Sequence, residues 1–119
     1  MKAATDPRHK KREQKVKLLY TYSFSPKVID PKIKGVVTKL DQIDASIATH
    51  ARERPLNQIN RIDLAILRLA VSELLFAGQI PQKVVIDEAV ELAKTFGSDA
   101  SPSFVNGVLG SLLSHEKPA

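Results

Sequence analysis

Apolar residues concentrate in three helix-length blocks between residues 61 and 113. The first block, residues 62–77, is apolar nearly all round. Its polar positions are few: Asp63, Arg68, Ser72 and Glu73. A helix of this composition belongs in the middle of a bundle, because several neighbours must cover it. Asn60 is a good N-cap residue for this helix, and Gly78 predicts its end.

Two further amphipathic helices follow the central one. Pro81 is a favourable first helical position for the second helix, which Gly97 ends. Its apolar residues recur at spacings of three to four: Val85, Ala89, Leu92, Ala93 and Phe96. The third opens with Ser101 as cap and Pro102 as first residue, and then repeats apolar pairs: Phe104/Val105, Val108/Leu109 and Leu112/Leu113. The pattern predicts three packed helices with the first at the centre.

The N-terminal part predicts a loose arm, residues 1–8, and a helix over residues 9–24. One face of this helix is apolar, with Val16, Leu19, Tyr20 and Phe24. Another side is cationic, with Arg8, Lys11, Arg12 and Lys15, and Tyr22 extends it. Cations bind phosphates and an aromatic ring can stack on an unpaired base, so this side suits nucleic acid. A solvated helix face explains the same pattern equally well.

The segment 25–31 contains two prolines and leaves no room for a helix. Residues 32–54 then predict one long helix, which Pro55 ends. Its apolar side holds Val36, Val37, Leu40, Ile43 and Ile47. The chain is thus expected to be all-α: a compact bundle of about five helices without a strand. We expect a single domain over residues 1–119, made of the arm 1–8, a helical hairpin 9–54 and a three-helix part 60–114.

Charge is unevenly distributed along the chain. The formal net charge is +5, and residues 1–30 hold eight Lys and Arg against three acidic residues, so the whole excess lies there. A basic end on an otherwise neutral domain favours a polyanionic partner. No apolar run approaches the roughly 18 residues of a membrane span, and no secretory signal is present. The expected location is the cytoplasm.

Little in the sequence is typical of catalysis. His9, His50 and His115 lie far apart, and no nucleotide-binding, nucleophile or metal motif occurs. We therefore expect no enzyme activity, no cofactor and no metal site. The other acidic residues are expected to be ordinary surface charges: Asp41 and Asp44 on a solvated face, Lys83–Asp87 and Glu91–Lys94 as pairs along one helix.

The dipeptide Asn106-Gly107 is unusual within a predicted helix. Glycine there costs up to about 1 kcal/mol against alanine, and a buried asparagine needs a partner. The favoured interpretation is structural: Gly107 allows close approach of the central helix, and Asn106 holds a neighbouring loop. A direct ligand role is the alternative.

Three motifs occur in order: RIDLAILRLAVSELLF, IPQKVVIDEAVELAKTFG and FVNGVL. Together they resemble the C-terminal half of the NusB family of transcription antitermination factors. The N-terminal half is less similar. NusB proteins usually have another helix between the basic first helix and the long one, where this chain has only SPKVIDP. The resemblance therefore implies a NusB-like bundle with one N-terminal helix missing.

The resemblance implies an RNA-binding antitermination or elongation factor. Family members bind boxA-like leader RNA of ribosomal-RNA transcripts together with the ribosomal protein NusE, in the transcription elongation complex. Matching positions imply these RNA-binding residues: Arg8, Lys10, Lys11, Arg12, Lys15, Tyr20 and Phe104. Here the motif favours Tyr20, although the helical pattern favours Tyr22. NusE would contact Asp63, Ile80 and Lys83.

Departures from the family keep alternatives open. Family members often have an acidic residue directly before the capping serine and a basic residue directly before the phenylalanine. This chain has Ala100 and Ser103 at those positions. The chain could thus be a protein-interaction scaffold that keeps only the NusE-docking half. It could also be a relative of the NusB-like domain that precedes some ribosomal-RNA methyltransferases. The stripe from Val36 to Ile47 needs a cover, so we expect a monomer in which the hairpin packs on the C-terminal helices, with a homodimer through residues 16–47 as the alternative.

Overall fold

The computed structural model describes residues 6–116, and all regular structure within that range is helical. Six α-helices follow one another: α1 Pro7–Phe24, α2 Lys34–Val37, α3 Leu40–His50, α4 Arg61–Ser72, α5 Gln82–Phe96 and α6 Ser101–Glu116. Two 3₁₀ turns, Pro31–Ile33 and Leu56–Gln58, and a π-helical turn, Glu73–Ala77, complete the regular structure of residues 6–116. The all-α prediction is confirmed, with six α-helices in this range instead of about five.

Helix α4 is the centre of the bundle, as its apolar pattern predicts. It packs against α1, α3, α5 and α6, and residues 63–71 are all buried. The Asn60 side chain accepts a hydrogen bond of 2.8 Å from the Ile62 amide, which confirms the predicted N-cap. After the π-helical turn, Gly78 adopts a φ of 64°, a left-handed conformation that favours glycine. The central helix therefore ends where the sequence indicates.

Helix α1 begins earlier than predicted. Asp6 accepts a hydrogen bond from the Arg8 amide and caps the helix, and Pro7 occupies its first position. Residues 7 and 8 are thus helical and do not belong to a loose arm, while residues 1–5 of that predicted arm lie outside the described part of the chain. Arg8 therefore has a defined position on a helix.

The predicted long helix over residues 32–54 is wrong. The chain instead forms the turn Pro31–Ile33, the single helical turn α2, a break at Thr38 and Lys39, and then α3, which ends at His50. Weak helix formers follow one another from Gly35 to Thr38, so an uninterrupted helix gains little there. Lys39 leaves the helical region, with φ of −111° and ψ of 15°.

The apolar stripe of these two short helices is nevertheless largely buried. Ile43 and Ile47 are fully buried, Val36 is nearly so, and α3 packs against both α4 and α6. Asp44, expected on a solvated face, instead accepts two hydrogen bonds of 2.9 Å from the Arg68 guanidinium on α4. That expectation is corrected, because α3 lies against α4 and Asp44 is the counter-ion of a buried arginine. Helices α1, α2 and α3 each pack directly onto α4 and share one core with the C-terminal helices.

The structural interpretation of Asn106 and Gly107 is wrong. Both residues are exposed on α6, and a Cβ added at Gly107 would meet no atom within 4 Å. The surface pairs Lys83–Asp87 and Glu91–Lys94 are present, at 3.4 and 3.1 Å. Within residues 6–116, no helix is long and apolar enough to cross a membrane.

Candidate nucleic-acid interface

The cationic side of α1 is presented to solvent along most of its length. Lys10 and Lys11 are exposed, the Arg8 side chain is 84% exposed, and Lys15 is half-buried. The Arg8 side chain hydrogen bonds to the cap residue Asp6, and this bond holds the pKa of the Asp6 carboxyl below its usual value. Four of the five predicted RNA-binding cations of this helix are thus available at the surface.

Arg12, the fifth, is not a surface cation. Its guanidinium donates to both carboxylate oxygens of Glu73 and lies 3.6 Å from Glu88. The Arg12 side chain is only 12% exposed. Because Arg12 precedes Val16 by four positions and Leu19 by seven, it lies on the buried stripe of α1. That spacing is a signal that the charge pattern concealed, and the placement of Arg12 on the open cationic side is corrected.

His9 begins the same buried stripe. Its Nδ1 lies 2.8 Å from a carboxylate oxygen of Glu88, and its Nε2 lies 3.5 Å from Glu13. Glu88 is 5% exposed and comes from α5. His9, Arg12, Glu73 and Glu88 together attach the start of α1 to α5 and to the π-helical turn. This ionic cluster fixes the orientation of α1 on the bundle. It thereby places Arg8, Lys10, Lys11 and Lys15 on the accessible side of the helix.

A groove of about 610 Å³ runs beside this cluster. Its α1 wall holds Arg8, Lys11 and Lys15, and its opposite wall holds Ile80 and Val84. Cations predicted to bind RNA and Ile80, one of the three residues predicted to contact a protein partner, therefore line one groove. The sequence alone could not place them together, since about 70 positions separate them.

The two tyrosines of α1 lie opposite to the helical-pattern prediction. Tyr20 is 39% exposed, whereas Tyr22 is half-buried against the core. The buried face is centred on Leu19, and Tyr20 lies 100° around the helix from it, while Tyr22 lies only 60° away. Tyr20 packs edge-on against exposed Phe24, with ring centroids 5.0 Å apart. The tyrosine that the family motif indicates is the accessible one.

Phe104 lies in the first turn of α6. The Ser101 hydroxyl accepts a hydrogen bond of 2.9 Å from the Ser98 amide and organises the loop before the helix. Phe104 is half-buried, and the guanidinium of Arg54 lies over its ring at 4.3 Å. Three other cations lie over aromatic rings of the described residues: Arg61 over Phe24 at 4.2 Å, Lys39 over Phe76 at 4.8 Å and Lys17 over Phe96 at 5.7 Å. Sequence reasoning missed Arg54 and Arg61, because nothing local indicates which rings they approach.

The three predicted partner-binding residues differ in accessibility. Lys83 is exposed, with its side chain 86% accessible, and Ile80 is half-buried at the groove. Asp63 is only 3% exposed, and its Oδ1 has no hydrogen-bond partner among the described residues. Its place as a contact residue is corrected, because the third position of α4 points into the bundle at this end. Ile80 and Lys83 remain predictions.

These observations define a small all-helical protein with a basic helix packed on a buried central one. The model of the NusB family matches residues 25–114. The chain therefore belongs to the NusB family.

Relatives and solved structures agree with this assignment. The transcription antitermination protein NusB of Geobacter sp. (strain M21) is 45% identical over 93 residues, which are 78% of this chain and 61% of that protein. Its counterpart from Alkaliphilus oremlandii (strain OhILAs) is 48% identical over 84 residues, 71% of this chain and 61% of that protein. The chain thus spans about three-fifths of the length of these relatives.

Among solved structures, T. maritima NusB superposes with a TM-score of 0.84 at 32% identity, covering 95% of this chain and 94% of that one. A crystal structure of the antitermination factors NusB and NusE in complex with double-stranded RNA has a TM-score of 0.78 at 20% identity. It covers 92% of this chain and 99% of that one. At that identity the likeness concerns the fold alone.

Proposed function

We propose that this chain is an RNA-binding transcription antitermination factor. It binds boxA-like leader RNA of ribosomal-RNA transcripts together with the ribosomal protein NusE, as part of the transcription elongation complex in the cytoplasm, and it is not an enzyme. Its relatives carry the name of transcription antitermination proteins. The observation that carries the proposal is the groove in which the exposed cations of α1 face an apolar wall.

RNA binding is supported by where the free positive charge lies. Arg8, Lys10, Lys11 and Lys15 follow one another along α1, and only Arg8 has a carboxylate within 4.0 Å among the described residues. The formal net charge of +5 adds long-range attraction for a polyanion. Phosphates bound by these four side chains would release counter-ions, which makes binding salt-dependent.

Binding of NusE is supported by the opposite wall of the groove. Ile80 and Val84 form part of it, and Val84 is 41% exposed. Exposed apolar side chains that share one surface are typical of protein interfaces. In this arrangement NusE and RNA would lie on either side of one groove.

A salt titration of binding to a boxA-type RNA tests the RNA-binding proposal. Four phosphate contacts with a single strand predict a slope of roughly −3 in log affinity against log salt concentration. The double variant Lys10→Gln, Lys11→Gln should lower the magnitude of the slope by about 1.4. Lys94→Gln, an exposed lysine on α5 paired with Glu91, is the matched control and should leave the slope unchanged.

A binding assay with purified NusE tests the protein partner. Val84→Glu should weaken the complex at least tenfold, since it places a charge in the apolar wall of the groove. Val28→Glu, at a residue that is 81% exposed in the loop after α1, should have no effect. Retained NusE binding without saturable RNA binding would instead identify the chain as an interaction scaffold.

A further inference from the structure

A cleft of about 530 Å³ opens between the end of α1, the turn Leu56–Gln58 and the start of α4. Its apolar walls come from Leu56, Ile59 and Leu64. Ile59 and Leu64 are only 4% and 8% exposed, so these walls are continuous with the core of the bundle. Apolar clefts of roughly 300–1,000 Å³ that hold a few polar groups are typical of small-molecule sites.

The loop after α1 borders the cleft without closing it. Pro26 of this loop lines the cleft, and exposed Asn57 lines it from the turn Leu56–Gln58. The two large apolar side chains of the loop are turned to solvent, since Val28 is 81% and Ile29 44% exposed. Neither of them covers the apolar walls, and space beside the core is therefore left for a ligand.

Two arginines give the cleft its charge. Arg68 and Arg61 both line it. Arg68 is 9% exposed and donates from Nε and Nη2 to the Asp44 carboxylate, which compensates its charge. Arg61 is exposed, and among the described residues no carboxylate lies within 4.0 Å of it. The cleft thus carries one uncompensated positive charge, which favours a ligand with one anionic group.

The guanidinium of Arg61 is held in place by the end of α1. Its Nη1 donates a hydrogen bond of 2.6 Å to the Ser23 carbonyl, and the group lies over the Phe24 ring at 4.2 Å. Its Nε and Nη2 have no hydrogen-bond partner within the described part of the chain. Neighbouring N–H donors of a guanidinium match two oxygens of one acidic group, so Arg61 can bind such a group at two points.

We propose that this cleft binds a small organic anion, in which one acidic group is attached to an aromatic or other apolar body. The apolar body would lie against Leu56, Ile59 and Leu64, and the acidic group would bind Arg61. An inorganic anion would gain no apolar burial, and an uncharged apolar molecule would gain no ion pair, so the site favours molecules that have both features. The inference is independent of the proposed RNA binding, since none of the cations assigned to RNA lines the cleft.

A fluorescent probe with these two features tests the proposal. Anilinonaphthalene sulfonate carries one sulfonate on an aromatic body and becomes fluorescent in apolar sites. Its uncharged analogue phenylnaphthylamine has a similar aromatic body without the sulfonate. We expect saturable binding of the sulfonate at one site per chain, and about tenfold weaker binding of the analogue, because only the sulfonate can pair with Arg61.

Variants of the cleft separate the charge from the apolar walls. Arg61→Gln should weaken binding of the sulfonate about tenfold and leave the analogue unchanged. Arg52→Gln is the matched control, since it removes an exposed arginine that does not line the cleft, and it should change neither probe. Asn57→Phe should weaken both probes, because its ring would occupy the border of the cleft. Circular dichroism and urea unfolding of each variant verify the fold, since partly folded chains also bind this dye.

Backbone amide chemical shifts locate the bound probe. The groove that contains Lys11, Lys15, Ile80 and Val84 also combines cations with apolar side chains. Shift changes on adding the sulfonate should concentrate in the cleft, at residues 23, 59 and 64. Changes concentrated at residues 80–84 would place the probe in the groove and overturn the proposal. The absence of saturable binding, or equal affinity of Arg61→Gln and the unaltered chain for the sulfonate, would overturn it as well.

Discussion

Arg12 and Glu73 form a two-point ion pair that joins α1 to the π-helical turn after α4. Nε and Nη2 of Arg12 lie 3.1 and 2.9 Å from the Glu73 carboxylate oxygens. Both side chains are nearly buried, at 12% and 13% exposure. Fork-like pairing of this kind fixes orientation as well as distance. The pair therefore holds α1 so that Arg8, Lys11 and Lys15 face the groove.

Arg12→Gln should destabilise the fold, in contrast to the other basic residues of α1. Removing the guanidinium leaves the nearly buried Glu73 carboxylate without its cation, at a cost of about 3 kcal/mol in the free energy of unfolding. Lys11→Gln, one position earlier on the exposed side, should change it by less than about 0.5 kcal/mol. Urea denaturation of the two variants measures the difference. Equal stabilities would show that Arg12 is a surface cation after all.

Leu69→Ala should be among the most destabilising single substitutions. Leu69 is 2% exposed in the middle of α4, next to Val85 and Ala89 of α5. Loss of its side chain should cost roughly 2–5 kcal/mol through lost burial and a residual cavity. Thermal and urea unfolding measure this cost, with exposed Val84→Ala as the control. A loss under about 0.5 kcal/mol for Leu69→Ala would contradict the central position of α4.

The C-terminal half could be predicted well because its signals are local and agree with one another. Asn60 caps α4, Gly78 ends it, and nearly every residue between them is apolar. A helix that is apolar on nearly every side must be covered from several directions. Its central position can therefore be predicted without knowing which helices surround it. The break between α2 and α3 was less visible. The apolar spacing from Val36 to Ile47 fits one continuous helix. The backbone nevertheless breaks at Thr38 and Lys39, because the run of weak helix formers over residues 35–38 gives a continuous helix little stability.

The candidate site was predicted only in part, because charge alone does not indicate burial. Arg12 and Asp44 look like surface charges in the sequence, yet each pairs across the bundle with a residue that is distant in the chain. The sequence pattern does not indicate the roles of Arg54 and Arg61, since their aromatic partners come from other helices. Tertiary packing decides which cations remain free, and one-dimensional periodicity cannot contain that information.

Gly107→Ala should stabilise the protein. Gly107 lies in α6 with φ in the ordinary range, and an added Cβ would meet open space. Alanine should therefore raise the free energy of unfolding by up to about 1 kcal/mol. Gly97→Ala is the matched opposite, because its Cβ would collide with the Ser101 side chain and lie 2.8 Å from the Ala93 carbonyl oxygen. In thermal unfolding, Gly107→Ala should melt at a higher temperature than the unaltered chain, and Gly97→Ala at a lower one.

The chain should be a monomer in solution. The apolar stripe of the N-terminal half is covered within one molecule: Ile43 and Ile47 have no exposed surface, and Leu40 is half-buried. Within residues 16–47 the large apolar side chains left exposed are Tyr20, Phe24, Val28 and Ile29. These are far fewer than the roughly 20–30 residues a side of a stable interface. Sedimentation equilibrium at micromolar concentrations should give the monomer mass of 13.1 kDa. A doubled mass that returns to monomer in Leu40→Glu would place the interface on this stripe and contradict the expectation.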